Sequence, residues 1–328
     1  MIDDAATGEH PRSHLVADIE MLPKHPVWAL IGVIVGWFIV HLVLTQVGEL
    51  GKMFNAMGEA EPLWLAACIL TMMATHIGAG IAEMGSVDAD LPFVRTVEVQ
   101  LAGAAANRLT PAGVGGMGVS VRYLNERGID KPTAVAAVGL DSAAGIVVHG
   151  TLLALVAILV HRSRIIPRMR IPHGWPELVG LGVLAVAIGV ILASKTLRHR
   201  IASIRPVFHS LTVVVTRPRR ALQLFGGSAI ITIGNVLAFY AACLSVDADV
   251  SLLKVAAVYL AGSAIASAAP TPGGLGAVEA ALVAGLSAVH VPLEVAVPSV
   301  LIYRVVTFWL PILPGWFIFR SFRHSHVL

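Results

Sequence analysis

The sequence predicts an all-α polytopic membrane protein built as an inverted-topology repeat, and three observations lead to this prediction. Hydrophobic residues make up 56% of the chain and charged residues only 13%, whereas about 45 to 50% apolar residues are usual in soluble domains. The pentapeptide Ser86–Asp90 recurs unchanged 159 positions later as Ser245–Asp249. The last residues of the two copies, Asp90 and Asp249, are expected to cap the helices that follow. A Pro- and Gly-rich interruption of the apolar sequence comes after each copy, a pattern typical of membrane folds with broken helices.

Six apolar runs are each about 20 residues long or longer, enough to cross about 30 Å of hydrocarbon as a helix. They predict full membrane spans at residues 27–47, 62–84, 133–161, 176–194, 221–245 and 294–319. A polar N-terminal tail, residues 1–26, precedes the first run, and a short tail, residues 321–328, follows the last. Because the first run begins late and no small-residue cleavage site follows it, we expect a retained span rather than a signal peptide.

Two further apolar regions are too interrupted to cross the membrane as single helices. Residues 91–125 are broken by Pro111 and glycines, and residues 250–290 by Pro270, Pro272 and glycines. Each region is predicted to form a re-entrant pair of half-helices that enter the membrane, break near its middle and return to the same side. Such breaks are tolerated only where protein or a water-filled cavity surrounds the free backbone groups.

These elements divide the membrane region into two repeats with the same order of elements. The first repeat covers residues 27–161, an outer loop covers residues 162–175, and the second repeat covers residues 176–320. Each repeat holds three full crossings, and because this number is odd, the second repeat is expected to be inverted relative to the first. With the N-terminus and C-terminus in the cytoplasm, 15 of the 23 Lys and Arg residues lie inside, as the positive-inside rule requires.

The basic segment, residues 195–220, alternates apolar and basic residues at near-helical spacing. It is predicted to lie along the cytoplasmic interface, attracted by anionic headgroups, although an ordinary basic linker between the repeats would have the same composition. The net charge of +3 is modest, so no nucleic-acid binding is expected. Cys68 and Cys243 lie inside apolar runs without a metal-binding or disulfide pattern, so no metal or other cofactor is expected.

The two interruptions form the candidate substrate site. In the second interruption glycine permits positive φ and close backbone approach, and proline ends one half-helix before the next begins. The next half-helix then points its N-terminal N–H groups toward mid-membrane, where they can bind phosphate or carboxylate. Alternatively, the small residues only let helices pack closely, but their duplication favours a site. The candidate residues are Gly115, Gly116 and Gly118 in the first interruption, and Pro272, Gly273, Gly274 and Gly276 in the second.

Four intramembrane ionisable residues complete the candidate site, since each costs about 2.5 to 3.5 kcal/mol on insertion scales and therefore needs a partner or a function. Glu279 follows the second interruption and is expected to pair with Arg304 in the last span. Arg108 precedes the first interruption and is expected to pair with Asp141 in the next span. Either pair could be a purely structural salt bridge. Alternatively, Asp141 and Glu279 carry a coupling proton.

The two interruptions also carry a family resemblance. Thr110–Gly118 followed by Arg122, and Pro270–Glu279 followed by Arg304, resemble the two signatures of the lysylphosphatidylglycerol synthase transmembrane family. This is the flippase-like membrane domain found at the N-terminus of multiple peptide resistance factors and in related free-standing bacterial proteins. The resemblance covers about residues 27–320. It implies a bacterial inner-membrane protein that moves a phospholipid or another lipid-linked headgroup between leaflets.

The same resemblance implies roles for individual residues. The acid of the second signature is Glu279, its basic partner is Arg304, and the arginine of the first signature is Arg122. Many relatives carry an acid directly after the last glycine of the first signature, whereas this chain has Val119, so a function that needs that acid is not carried over. We expect no aminoacyl-transferase domain after Phe319, and the chain shows no nucleophile, metal or nucleotide motif. We therefore expect that it is not an enzyme.

The resulting hypothesis is a flippase-like transporter that moves an anionic phospholipid or lipid-linked headgroup across the bacterial inner membrane. Arg108, Arg122 and Arg304, together with the half-helix N-termini, would offset the headgroup charge while the acyl tails stay in lipid. Two alternatives stay open: a proton-coupled small-solute transporter, and a non-catalytic membrane scaffold for a lipid-modifying enzyme. Membrane lipids are the expected partners, and a homo-oligomer or a soluble lipid-modifying protein is a further option.

Overall fold

The computed structural model describes residues 58–110, 114–163, 216–267 and 271–324, all of which belong to one compact unit that begins at Met53. Within these ranges every regular element is helical. Several predicted segments lie outside the described residues: the N-terminal tail 1–26, the spans 27–47 and 176–194, nearly all of the outer loop 162–175, most of the basic segment 195–220 and the last part of the tail 321–328.

The described residues form nine α-helices, joined in two places by tighter or wider helical turns. A 3₁₀ turn, Pro272–Gly274, precedes α7, and a π-helical turn, Val305–Trp309, joins α8 to α9. The α-helices are α1 (Pro62–Ser86), α2 (Phe93–Leu109), α3 (Val114–Glu126), α4 (Lys131–Ser163), α5 (Pro218–Leu244), α6 (Leu252–Ser267), α7 (Ala277–Ala288), α8 (Leu293–Arg304) and α9 (Ile312–His324).

Four helical stretches are long and apolar enough to cross a membrane. They are α1, α4, α5 and the composite of α8, the π-helical turn and α9, which spans Leu293–Ile318. These stretches match the predicted spans 62–84, 133–161, 221–245 and 294–319 to within three residues at each end. The prediction of a polytopic all-helical membrane protein is therefore confirmed for the described part of the chain.

Helices α1 and α5 pack against each other along their whole length and run in opposite directions. At one end the amide of Glu61 donates to the carbonyl of Ser245 at 2.8 Å. At the other end Gly85 lies against the backbone of Leu224. Glycines at the seam let the two backbones approach closely, since lipid supplies little hydrophobic drive and packing must hold membrane helices together.

Each interrupted region forms an antiparallel helical hairpin. In the first hairpin, two hydrogen bonds join α2 to α3. The hydroxyls of Thr96 and Tyr123 are 3.0 Å apart. The backbone amide of Gly116 donates to Oδ1 of Asn107 at 2.5 Å. In the second hairpin, Gly262 of α6 packs on Leu282 of α7. The four helices hold 12 to 17 residues, or about 18 to 26 Å at 1.5 Å per residue. Each is therefore shorter than the hydrocarbon core.

The duplicated glycines have different structural roles in the two hairpins. Gly115, Gly116 and Gly118 lie inside the first turns of α3, where a Cβ on Gly115 would stand 2.6 Å from the carbonyl oxygen of Ala106 on α2. Gly115 and Gly116 therefore serve the close packing of α3 on α2. In the second hairpin Gly273, Gly274 and Gly276 have φ of 59°, 70° and 78° and precede α7, so the predicted positive φ is confirmed there.

The turns after the two hairpins show how the repeats correspond in space. Gly128, at φ 84°, ends α3 and its amide donates to the carbonyl of Asn125, while His290, at φ 71°, ends α7 and donates in the same way to Ser287. These matching turns are 162 positions apart, whereas the glycines of the two interruptions are 158 positions apart. Relative to the end of the hairpin's second helix, the glycines of the second hairpin therefore lie four residues earlier than those of the first. Four residues are about one helical turn.

The last span of each half packs on the first hairpin helix of the other half. Gly315 of α9 lies against α2, where a Cβ on Gly315 would stand 2.5 Å from the carbonyl oxygen of Leu101. His149 of α4 donates from Nε2 to the carbonyl of Leu260 on α6 at 3.0 Å. Leu101 and Leu260 are separated by the repeat distance of 159 positions. The two halves are therefore interlocked through equivalent helices.

The predicted N-caps are wrong. Helix α2 begins after Pro92, with no side-chain cap, and the N-cap position of α6 is held by Ser251. Asp90 instead accepts a hydrogen bond from Nη2 of Arg220 at 3.1 Å, and Asp88 pairs with Arg217. The first acidic pentapeptide is thus tied to the start of α5, because the antiparallel packing of α1 and α5 brings those two ends together.

Candidate functional site

The two interruptions meet at a buried group of polar side chains, which we call the central cluster. It is built around the π-helical turn between α8 and α9. In a regular α-helix the carbonyl of Thr307 would accept a bond from residue 311, but Pro311 has no N–H. The free carbonyl instead accepts a hydrogen bond from Nη2 of Arg108 at 2.8 Å. The end of the first hairpin's α2 is thereby fixed to the last span of the second half.

Arg304 connects the same turn to the second interruption. Its Nε donates to Oε1 of Glu279 at 2.7 Å, and its Nη2 donates to the carbonyl of Gly273 at 3.3 Å. The Arg304 side chain is only 7% exposed and the Glu279 side chain 16%. Positive φ at Gly273 and the start of α7 directly after Gly276 place the carbonyl and the carboxylate on the same side of the break. The predicted pairing of Glu279 with Arg304 is confirmed.

Both arginines of the central cluster lie over one aromatic ring. The guanidinium carbon of Arg108 is 4.3 Å from the centroid of Phe308, and that of Arg304 is 4.5 Å from it. Such cation–π contacts gain strength away from water. Phe308 therefore holds two cations close to each other. Among the described residues of the cluster, Glu279 is the one carboxylate that offsets them, which leaves an excess of one positive charge.

Three buried atoms of this region have no hydrogen-bond partner within the described ranges: Nε of Arg108, Oε2 of Glu279 and Oγ1 of Thr271. Leaving a buried polar group unpaired costs about 1 to 3 kcal/mol, and more for a charged one. The set contains a donor on a cation, an acceptor on an anion and a hydroxyl. A ligand with anionic oxygens and a donor of its own would therefore satisfy all three.

The structure does not bring every predicted site residue into this cluster. Arg108 makes its contacts with Thr307 and Phe308 and does not form the predicted salt bridge with Asp141. Arg122 lies about 12 Å along α3 from its first residue, has a 60% exposed side chain and pairs with Glu126 at 3.2 Å. Its role in substrate binding stays a prediction.

Apart from Gly273, whose carbonyl binds Arg304, the predicted glycines make no hydrogen bond to the charged side chains of the cluster within the described ranges. Gly115 and Gly116 set the close packing of α3 on α2, and a Cβ on Gly118 would meet nothing within 4 Å. Gly274 and Gly276 supply the left-handed backbone that turns the chain into α7. Pro272 opens this turn.

Sequence reasoning missed two members of the cluster. The carbonyl of Thr307 had a readable signal, because a proline four residues later always frees a helical carbonyl. Phe308 had none, since an aromatic residue in an apolar span looks like ordinary core. Its position between two cations depends on contacts far apart in the sequence.

Two glycine variants separate backbone strain from contact with the aromatic ring. Gly273→Ala and Gly276→Ala both place a Cβ on a residue with positive φ, which costs about 1 to 2 kcal/mol. Only at Gly273 would the Cβ also collide with Cε2 of Phe308, at 2.4 Å, whereas at Gly276 it meets nothing within 4 Å. We expect Gly273→Ala to lower the free energy of unfolding by about a further 1 to 3 kcal/mol, measured by SDS titration. Equal losses for the two variants would contradict this placement of Phe308.

These features define the class of protein: a polytopic α-helical membrane protein with two helical hairpins whose breaks meet at a buried charged cluster. The sequence model of the family described as Lysylphosphatidylglycerol synthase TM region matches residues 28–315, the greater part of the chain. The chain belongs to this family, and its suspected resemblance is confirmed. No curated protein matches the chain.

Proposed function

We propose that the protein is a flippase-like transporter that moves an anionic lipid headgroup between the leaflets of the bacterial inner membrane. One observation carries this proposal: the breaks of the two hairpins meet at a buried cluster in which the described residues supply two guanidinium groups and one carboxylate. A phosphate diester would neutralise the excess positive charge and accept a bond from the unpaired Nε of Arg108. The acyl tails would stay in lipid.

The contact between α1 and α5 supports the inverted repeat. These helices are sequence counterparts and run antiparallel. Thr75 and Gly234 are counterparts at the 159-position repeat distance, and a Cβ on Gly234 would stand 2.8 Å from Cγ2 of Thr75. A residue that touches its own counterpart is expected on a two-fold axis. An axis in the membrane plane relates the repeats of many secondary transporters.

The hairpins are proposed to be re-entrant. Their helices are too short to cross the hydrocarbon. The second break lies against the end of α2, since a Cβ on Gly273 would stand 3.6 Å from Cδ of Arg108. Irregular backbone at membrane depth is tolerated when protein or a cavity surrounds it. At the second break, side chains of the central cluster surround the backbone of Gly273.

The mechanism follows from the contacts of Arg304. At rest Glu279 neutralises this arginine, which keeps the site closed to lipid of either leaflet. An incoming phosphate competes for the guanidinium, and the freed carboxylate accepts a proton or a hydrogen bond from the headgroup. Because each last span packs on the first hairpin helix of the other half, rocking of one half moves both hairpins together and exchanges access.

A transport assay tests the proposed function. Wild-type protein in vesicles of anionic phospholipid is expected to move phosphatidylglycerol with a fluorescent acyl chain from the inner to the outer leaflet, where a membrane-impermeant quencher detects it. Arg108→Gln is expected to slow this movement about tenfold, because the neutral amide forfeits at least about 1.4 kcal/mol of attraction to the phosphate. Arg162→Gln, at an exposed helix end, is the matched control and is expected to retain the wild-type rate. Equal rates for wild type and Arg108→Gln would refute the role of the cluster.

Site-directed labelling tests the inverted arrangement. The two acidic pentapeptides lie at opposite ends of the α1 and α5 pair, and Asp90 and Asp249 are both exposed. In a background with Cys68→Ala and Cys243→Ala, we expect Asp90→Cys to react with an impermeant thiol reagent from the cytoplasmic face and Asp249→Cys from the opposite face. Labelling of both from one face would rule out the proposed topology.

A further inference from the structure

A second group of buried polar side chains lies in the first half, apart from the central cluster. We call it the carboxylate cluster: Glu83 of α1, Gln100 of α2, Ser120 of α3 and Asp141 of α4. Glu83 is only 2% exposed. The amide of Gln100 donates to its Oε2 and also lies 3.4 Å from the hydroxyl of Ser120. Oε1 of Glu83 is buried and has no partner among the residues that the structure describes.

A second acid acts on Glu83. Asp141, half-buried on α4, interacts with Glu83 electrostatically. Arg220, the basic side chain of α5 next to this region, donates to the carbonyls of Met84 and Ala89 and to Asp90. Glu83 is therefore a deeply buried carboxyl group on which a second acid acts electrostatically.

Within the described ranges, the charged side chains of the other neighbouring elements make their contacts elsewhere. On α2 the charged pair Arg95 and Glu98 lies on the exposed side, 3.4 Å apart, and on α3 Arg122 pairs with Glu126. The π-helical turn, which also packs on α1, contains no titratable side chain. Two like charges this deep in a membrane protein carry a large cost, so the pair favours the binding of one proton.

The second half shows that the fold itself does not require these polar groups. The repeat distances are 159 positions before the breaks and 162 after them. The counterparts of Glu83, Gln100, Ser120 and Asp141 are therefore, in this order, Ala242, Tyr259, Leu282 and Tyr303. All four counterparts lie in one apolar cluster, in which the two tyrosine rings are 5.9 Å apart and the alanine and leucine are fully buried. The same place in the fold packs well without an acid, so the acids of the first half serve another purpose.

We propose that Glu83 and Asp141 form a proton-binding site whose loading is coupled to movement of the lipid. The transport part of this proposal rests on the proposed function. Binding of one proton converts the pair from two carboxylates to one carboxylate and one neutral acid, with no other group gained or lost. The neutral acid on Glu83 uses the unpaired Oε1 as a donor, and Gln100 continues to donate to Oε2.

The position of His76 links this site to the central cluster. His76 lies seven residues before Glu83, on the same face of α1, and it interacts electrostatically with Arg108. The proposed coupling runs along this face of α1, from Glu83 past His76 to Arg108 at the proposed phosphate site. One helix connects proton binding with headgroup binding.

Infrared spectroscopy of the purified full chain in lipid tests the proton site without any transport. On acidification, wild type is expected to gain the carbonyl band of a buried protonated carboxyl group. The band is expected to be absent in Glu83→Gln and to shift in frequency and in its pH midpoint in Asp141→Asn. The control Glu98→Gln removes a half-exposed acid of α2 and is expected to leave the band unchanged.

The amide of glutamine mimics the neutral acid, so Glu83→Gln is expected to fold with at least wild-type thermal stability. If it does not fold, the shift in Asp141→Asn decides the matter alone. A band that is identical in wild type and Glu83→Gln, or unchanged in Asp141→Asn, would overturn the proton site.

Transport under an imposed pH gradient tests the coupling. Wild type in vesicles with fluorescent phosphatidylglycerol is expected to move lipid several-fold faster in one gradient direction than in the other, and Glu83→Gln is expected to lose this asymmetry while Glu98→Gln keeps it. Symmetric wild-type movement would overturn the coupling even if the infrared band is present. A wild type that moves no lipid would overturn the proposed function and the coupling, while the infrared result would still decide the proton site.

Discussion

Replacement of Gly227 by alanine is expected to separate α1 from α5 and to lower the free energy of unfolding by about 3 kcal/mol. A Cβ at this position would stand 2.5 Å from the backbone amide nitrogen of Ala82 and 2.5 Å from the carbonyl oxygen of Gly78. Backbone atoms cannot move aside as a flexible side chain can. The two helices must therefore shift apart along the longest contact in the described structure, with loss of dispersion contacts on both sides.

The neighbouring residue provides a matched control. A Cβ on Gly226 would meet nothing within 4 Å, so Gly226→Ala should leave the packing unchanged. Because glycine in the middle of a helix costs about 0.5 to 1 kcal/mol relative to alanine, this variant is expected to be neutral or slightly stabilised. SDS titration of the two purified variants, followed by tryptophan fluorescence, gives both free energies. Similar values for the two variants would show that α1 and α5 are not packed as described.

The second large effect is expected at Arg304. Replacement by methionine fills a similar volume but leaves the carboxylate of Glu279 buried without its cation. Removing one partner of a buried ion pair costs about 3 to 5 kcal/mol. Glu279→Gln is expected to cost less, about 1 to 2 kcal/mol, because Arg304 keeps its bond to the carbonyl of Gly273 and its contact with Phe308.

The double variant separates structural from functional roles of the pair. With both charges removed, Arg304→Met with Glu279→Gln is expected to recover most of the stability lost in Arg304→Met, so a double-mutant cycle should show a coupling of about 2 to 3 kcal/mol. The same double variant should move fluorescent phosphatidylglycerol about tenfold more slowly than wild type, because the phosphate has lost one of its two guanidinium groups. A stable double variant with wild-type transport would show that the pair is only structural.

The sequence alone was sufficient for features that depend on local composition. Hydropathy located four membrane spans to within three residues, since a run of about 20 apolar residues has few stable alternatives in water or lipid. Proline and glycine located the two interruptions, because they disturb helices through their own backbone chemistry. The cost of isolated charges in a membrane singled out Glu279 and Arg304 as a pair, and the motifs around them pointed to the family.

Only the tertiary structure decided the features that depend on contacts between distant segments. It gave Arg108 a carbonyl and an aromatic ring of the other half as partners in place of Asp141. It also showed that similar glycine motifs serve close packing in α3 and left-handed backbone before α7. The polar groups around Glu83 come from three other helices, α2, α3 and α4. Such contacts depend on how whole helices dock, and a one-residue change of rotation or register would alter them without any change in hydropathy.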